Sequence, residues 1–203
     1  MAEPGPTDRL TFRELTPEDL DIVVSQLGDP RVMWMAAAPW TRERCRAWID
    51  DNLGWYRDLG YGQYLLIDRG SGDSLGECGM NPVEVEGVPE VEIGYNVRPD
   101  LWGQGLASEA GLACLEFARK IVQLPRVIAL IDPRNDRSMR TAARIGMAFE
   151  RQATARDKRF VLWAVDWQGH VDTAPGRGHV VNEPAPDPGF ASSNAPTDAG
   201  VGE

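Results

Sequence analysis

The run Val91-Glu-Ile-Gly-Tyr-Asn-Val-Arg-Pro-Asp-Leu-Trp-Gly-Gln-Gly-Leu-Ala107 constrains this chain more than any other stretch. A mainly apolar segment leads into a short turn marked by Pro99, Gly103 and Gly105, and a helix follows. The two glycines leave little side chain over the first helical turn. The N–H groups of a first turn have no partner inside the helix, and the helix dipole adds partial positive charge there. Such a turn binds anions, most plausibly the phosphates of a nucleotide-like cofactor.

The flanking sequence supplies the frame. Leu10 to Leu15 alternates and predicts a strand. Thr16-Pro17-Glu18-Asp19 starts a helix, with a threonine cap, proline at the first position and acids in the first turn. Gly28-Asp29-Pro30 stops it, and Thr41 opens a second helix that ends at Gly60. The loop between them holds Trp34 and Trp40. Large aromatics on loops line ligand clefts, and equally bury a helix pair against a sheet.

Strand-like runs follow at Tyr64–Asp68, Leu75–Met80 and Val91–Val97, with connections at 69–73 and 83–87. Gly94 implies a bulge or a close backbone approach. The helix after Gly105 has a buried face of small residues: Ala107, Ala110, Gly111, Cys114 and Ala118. Val127–Ile131 is wholly apolar, as in a strand covered on both faces. Its helical crossover predicts that it runs parallel to Val91–Val97. A short helix over Asn135–Ile145 and a closing antiparallel pair at 147–152 and 160–167 complete an α/β chain. Residues 8–168 read as one domain, and 172–203 as a Pro/Gly/Ala-rich tail too poor in apolar anchors to order itself.

Charge and cysteine usage narrow the class. A net charge of -10 argues against nucleic acid and anionic membrane as partners. Cys45, Cys78 and Cys114 are odd in number and far apart, so neither a disulfide framework nor a metal site is indicated. The N-terminus has no basic region followed by an apolar one, so a cytoplasmic protein is expected.

The segment Trp102-Gly-Gln-Gly-Leu-Ala107, within Trp-Gly-x-Gly-x-Ala-Ser-Glu-Ala, resembles the acyl-CoA signature of the GNAT superfamily of N-acetyltransferases. That signature is Gln/Arg-x-x-Gly-x-Gly/Ala. The glycine and alanine positions match, and Trp102 stands where Gln or Arg is usual, a departure similar to the branch of the Rim-type ribosomal-protein acetyltransferases. Asn135-Asp-Arg-Ser138, and the segment Ala143 to Phe149, resemble further segments of that branch. The resemblance covers roughly residues 8–168.

It implies a mixed, mostly antiparallel sheet whose central parallel strands splay apart, with flanking helices. It implies acetyl-CoA as cosubstrate, lying in the splay, and an amine acceptor, either a protein N-terminus or a small molecule. Backbone groups at Asn96 and Val97 are then expected to pair with the pantetheine arm. The turn from Gly103 and Gln104 through Gly105, Leu106, Ala107 and Ser108 would hold the pyrophosphate. Asn135 would contact the arm or cap its own helix, and Ser138 would face the sulfur.

Aminolysis needs a neutral amine, so a base is expected. Glu92 is the candidate, although Glu90 and Glu92 also fit a solvated face; Glu77, one strand over, is the alternative. Trp34 and Trp40 are the candidate substrate-binding residues. Many superfamily members place a tyrosine acid late in the domain. Tyrosine occurs here only at 56, 61, 64 and 95. Arg140 and Arg144 suit either adenosine phosphates or a solvated helix face. A non-catalytic acyl-CoA-binding module is the competing function, and a homodimer is a possible assembly.

Overall fold

A computed structural model describes residues 2–167; the tail expected over 172–203 lies outside the described residues, as do His170 and His179. The strands are β1 (Leu10–Glu14), β2 (Gln63–Asp68), β3 (Ser74–Val85), β4 (Val88–Val97), β5 (Arg126–Ile131), β6 (Ala148–Ala155) and β7 (Lys158–Asp166). The helices are α1 (Leu20–Leu27), α2 (Arg42–Leu59), α3 (Leu106–Phe117) and α4 (Asp136–Arg144). The strands form one seven-stranded sheet in the order β1-β2-β3-β4-β5-β7-β6. Every neighbouring pair is antiparallel except β4 and β5. Those two run parallel and meet at a single position, Glu92 opposite Ile128. The fold is thus the mixed sheet with parting central strands that the family resemblance implied.

Successive strand residues point to opposite faces, which separates two layers. On β3, Cys78 contacts Cys114 of α3, while its neighbour Glu77 lies near Cys45 of α2. The small face of α3 lets that helix lie close: a methyl added at Gly111 would come 3.1 Å from Ile145 Cδ1. Past Phe117 the helix widens into a π-helical turn through Val122. At the start of α2, Thr41 Oγ1 accepts from Arg44 N at 3.3 Å, and Gly60 closes the helix at φ 77°. The three cysteines are free and buried.

One boundary differs from the sequence expectation. Residues 83–87 are not a connection: β3 runs on to Val85, β4 begins at Val88, and only Glu86-Gly87 turns, with φ 53° and 81°. Val83 and Val85 are buried with Ile128, Ala153 and Leu162. Burial of these alternate valines against strands that arrive later in the chain extends the hairpin, which two-residue turns of this hand favour.

Candidate functional site

The parting of β4 and β5 opens a gap at the middle of the sheet, and the glycine turn closes one end of it. Gly103 and Gly105 have φ 81° and 80°, a left-handed conformation that costs other L-residues about 1–2 kcal/mol. Gly105 caps α3 with no side chain. The first amide to bond back into the helix is Glu109 N, to Gly105 O at 3.0 Å, so those of Leu106, Ala107 and Ser108 have no partner within the helix. Leu106 is in the core, so only its backbone faces outward. Gln104 O accepts from Arg9 Nη1 at 3.0 Å, which ties the turn to the N-terminal segment.

Trp102 occupies the turn without offering charge. Its Nε1 donates to Val97 O at 2.7 Å, and the Arg137 guanidinium stacks 4.8 Å from its ring. The neighbouring Asn96 carbonyl faces β3, where only a glycine, Gly76, fits against it. Val97 therefore presents its backbone away from β3, whereas Asn96 presents its side chain to the site.

Two cavities flank this region. A groove of about 520 Å³ runs from the glycine turn along Tyr95–Val97 to α4; Arg137, Arg140 and Arg144 line it, with no carboxylate. Trp34, 51% exposed, borders this groove, with Arg134 5.8 Å from its ring. Orphaned amides, a side-chain-free turn and three guanidinium groups fit a polyphosphate.

The larger cavity, about 780 Å³, lies between α2, the 32–40 loop, the sheet and the β6–β7 hairpin. Trp40, Trp48 and Trp55 line it together with the carboxylates Asp51, Glu77, Glu84, Glu92 and Asp132 and the cations Arg44, Arg156, Lys158 and Arg159. Trp40 meets Trp48 edge-on at 5.9 Å and carries Arg44 over its face at 4.1 Å. The two candidate substrate residues thus separate: Trp40 lines the larger cavity and Trp34 the groove.

The two cavities share Val32, Met35, Tyr95, Asn96, Asn135 and Ser138 in their linings. Asn135 Oδ1 accepts from Ser138 N at 3.1 Å, the helix-capping alternative for that residue. Ser138 Oγ lies 3.0 Å from Tyr95 Oη, which also donates to Ser138 O at 3.0 Å. Burial pushes the Tyr95 phenol up to about 12. A tyrosine does therefore reach the start of α4, but from β4. Its placement depends on a pairing across the sheet, which the late-domain sequence does not encode.

Two carboxylates lie on the cavity floor in different surroundings. Glu92 Oε2 accepts from Arg156 Nη2 at 2.8 Å and from Asn81 Nδ2 at 3.4 Å. Gln63 Nε2 extends the chain by donating to Asn81 Oδ1 at 3.2 Å. Glu77 is 2% exposed and accepts from Asn96 Nδ2 at 3.0 Å. Burial pushes its carboxyl up to about 8, against the smaller opposing effect of Asn96.

Comparison with known proteins identifies the family. Residues 9–148 match the family described as acetyltransferase (GNAT) domain. An uncharacterised Bacillus subtilis (strain 168) protein, YkkB, is 33% identical over 158 residues, covering 77% of this chain and 92% of its own. The Escherichia coli (strain K12) ribosomal protein uS5 alanine N-acetyltransferase is 33% identical over 109 residues, 54% of each chain. An acetyltransferase structure from Agrobacterium tumefaciens (str. C58) superposes with a TM-score of 0.73 at 24% identity, over 81% of this chain and 95% of that one. The matched segment holds both strands of the gap, the glycine turn and α4, and the chain accordingly belongs to the GNAT acetyltransferase family, an acetyl-CoA-dependent acyltransferase.

Proposed function

We propose that the protein transfers the acetyl group of acetyl-CoA directly to a primary amine, with both substrates bound at once. The observation that carries this reading is the meeting, at Tyr95, Asn96, Asn135 and Ser138, of a groove lined by three arginines and no carboxylate with a cavity that carries five carboxylates among its lining groups. The cationic groove suits the phosphates of acetyl-CoA, with Gly103 to Ser108 around the pyrophosphate and Val97 beside the arm. The carboxylate-bearing cavity suits an amine. In that arrangement the amine reaches the thioester from the far side of the sheet.

Acetyl-CoA supplies an activated carbonyl. The chain's own groups orient the amine, exclude water and manage protons. Attack forms the N–C bond and breaks the C–S bond, and the electron pair leaves on sulfur. Ser138, whose hydroxyl donates to the Tyr95 phenol, faces that sulfur, and rotation of its O–H toward the sulfur supplies a hydrogen bond as charge develops there. Glu92, its charge answered by Arg156, holds the β6–β7 hairpin over the amine cavity. Trp40, Trp48 and Trp55 give the acceptor an apolar wall.

The names of similar proteins span ribosomal-protein alanine and aminoglycoside acceptors, which sets the range to search. The test is thiol release from acetyl-CoA with a panel of small amines and N-terminal peptides, with mass spectrometry of the products. Release that depends on an added amine and yields an amide is expected. Release independent of any amine, or acetylation of hydroxyls alone, overturns the reading.

A further inference from the structure

We propose that Glu77 is the carboxylate that takes the proton from the attacking amine, while Arg156 holds Glu92 to the hairpin. This deepens the amine-transfer reading and rests on it. Glu77 lies on β3 opposite Asn96, at the level where β4 has already parted from β5. Its carboxyl lines the amine cavity, and its hydrogen-bond partner, Asn96, borders both cavities. Asn96 Nδ2 engages Oε1 alone; Oε2 has no protein partner among the described residues. No ion pair among the described residues involves Glu77, whereas Glu92 is paired with Arg156 at 2.8 Å. Of the two carboxylates on the floor, one already has its cation, and the other is held beside the cofactor groove without one.

The groups around Glu77 are few. From α2, Cys45 is the near titratable group; Arg44 and Asp51 line the same cavity, as do Lys158 and Arg159 of β7, and none of them acts measurably on the Glu77 carboxyl. From β4 comes Asn96, with Glu92 and its Arg156 four residues along. From β2 the opposite residue is Leu65, and on β3 itself Cys78 turns to the other face. None of these places a cation against the carboxyl. Burial therefore dominates and raises the group to about 8, close to the pH at which a base must exchange protons.

Protons balance in the proposed step. The nitrogen gives one proton to the Glu77 carboxylate as the N–C bond forms and the C–S bond breaks. The sulfur takes one proton through the Ser138–Tyr95 pair, and solvent exchange restores both groups after product release. The acceptor is thus an amine able to enter as the free base or to surrender its proton to a buried acid.

The test combines kinetics with titration of Glu77 itself. For the wild type, kcat/KM is expected to rise with an apparent pKa of about 8 that stays fixed across acceptors of differing basicity. A limb set by the amine would move with the amine. Glu77→Gln is expected to lower kcat/KM on the order of 10²-fold or more and to remove the fixed limb. Acetyl-CoA affinity, measured by calorimetry, is expected to stay the same. Glu77→Asp should recover part of the rate and keep the limb.

Full activity with an unaltered limb in Glu77→Gln overturns the proposal, as does loss of the limb in Glu92→Gln alone. Carbon-13 titration of δ-labelled glutamate reads the group in the wild type, independently of turnover and of how well Glu77→Gln folds. A carboxyl titrating near 8 and shifting on amine addition supports the assignment; all glutamates titrating well below 7 overturns it. If no amine is acetylated at all, the amine-transfer reading fails by itself, and the titration still reports on Glu77.

Discussion

At Ser138 two hydroxyls share one contact. Its Oγ meets Tyr95 Oη at 3.0 Å, and the same phenol donates to the Ser138 carbonyl. The phenol therefore fixes both the side chain and the first turn of α4, so the two residues act as a unit. Tyr95→Phe and Ser138→Ala are each expected to lower kcat about tenfold or more, and the double variant no further than the worse single. Steady-state kinetics around this cycle check it, and additive losses would mean that the residues act separately. The contrast between Glu77 and Glu92 belongs to the same scale. Both are glutamates on neighbouring strands, and the sequence put Glu92 first without access to the partner of either. Arg156, brought by a hairpin from the far end of the sheet, makes the difference. Tyr95 escaped for the same reason, since a residue's partner across a fold is not written in its neighbours.

At the scale of elements, the glycine turn was the most legible part of the chain. A strand, two glycines and a helix with a small-residue face admit few geometries, and the left-handed φ of Gly103 and Gly105 follows from their lack of a Cβ. Gly105→Glu is expected to weaken acetyl-CoA binding on the order of 10²-fold or more, by backbone strain and by charge set against the pyrophosphate. Arg9 is the element's outside brace, bonding Gln104 O at 3.0 Å and the Glu109 carboxylate through Nε at 2.7 Å. Arg9→Ala is expected to weaken binding severalfold, since the brace is partly exposed and salt-screened. Calorimetry with acetyl-CoA measures both, and unchanged affinity in Gly105→Glu would remove the phosphate assignment. The β3–β4 hairpin was less legible. Val83 and Val85 sit among polar residues that imitate a loop, and only packing against β5, β6 and β7 pulls them into the sheet.

For the whole molecule, the buried acid ties stability to pH. The carboxyl of Glu77 is raised from 4.5 to about 8 by folding, so the folded state binds more protons than the unfolded chain across that window. Stability from this group is then present at low pH and lost as pH climbs from about 4.5 toward 8. Urea unfolding of Glu77→Gln should match the wild type near pH 5 and exceed it above pH 8, by on the order of a few kcal/mol. Parallel pH dependences in the two proteins would show that Glu77 ionises freely in the fold. The sequence by itself determined the order of elements, the parallel crossover between β4 and β5, and the glycine turn before α3. Each follows from hydrophobic period, glycine stereochemistry or capping over a few neighbouring residues. The tertiary structure alone decided which carboxylate acquires a cation, which tyrosine reaches α4, and which tryptophan borders which cavity. Those outcomes depend on burial and on partners tens of residues away, and desolvation acts only once the sheet has closed around them.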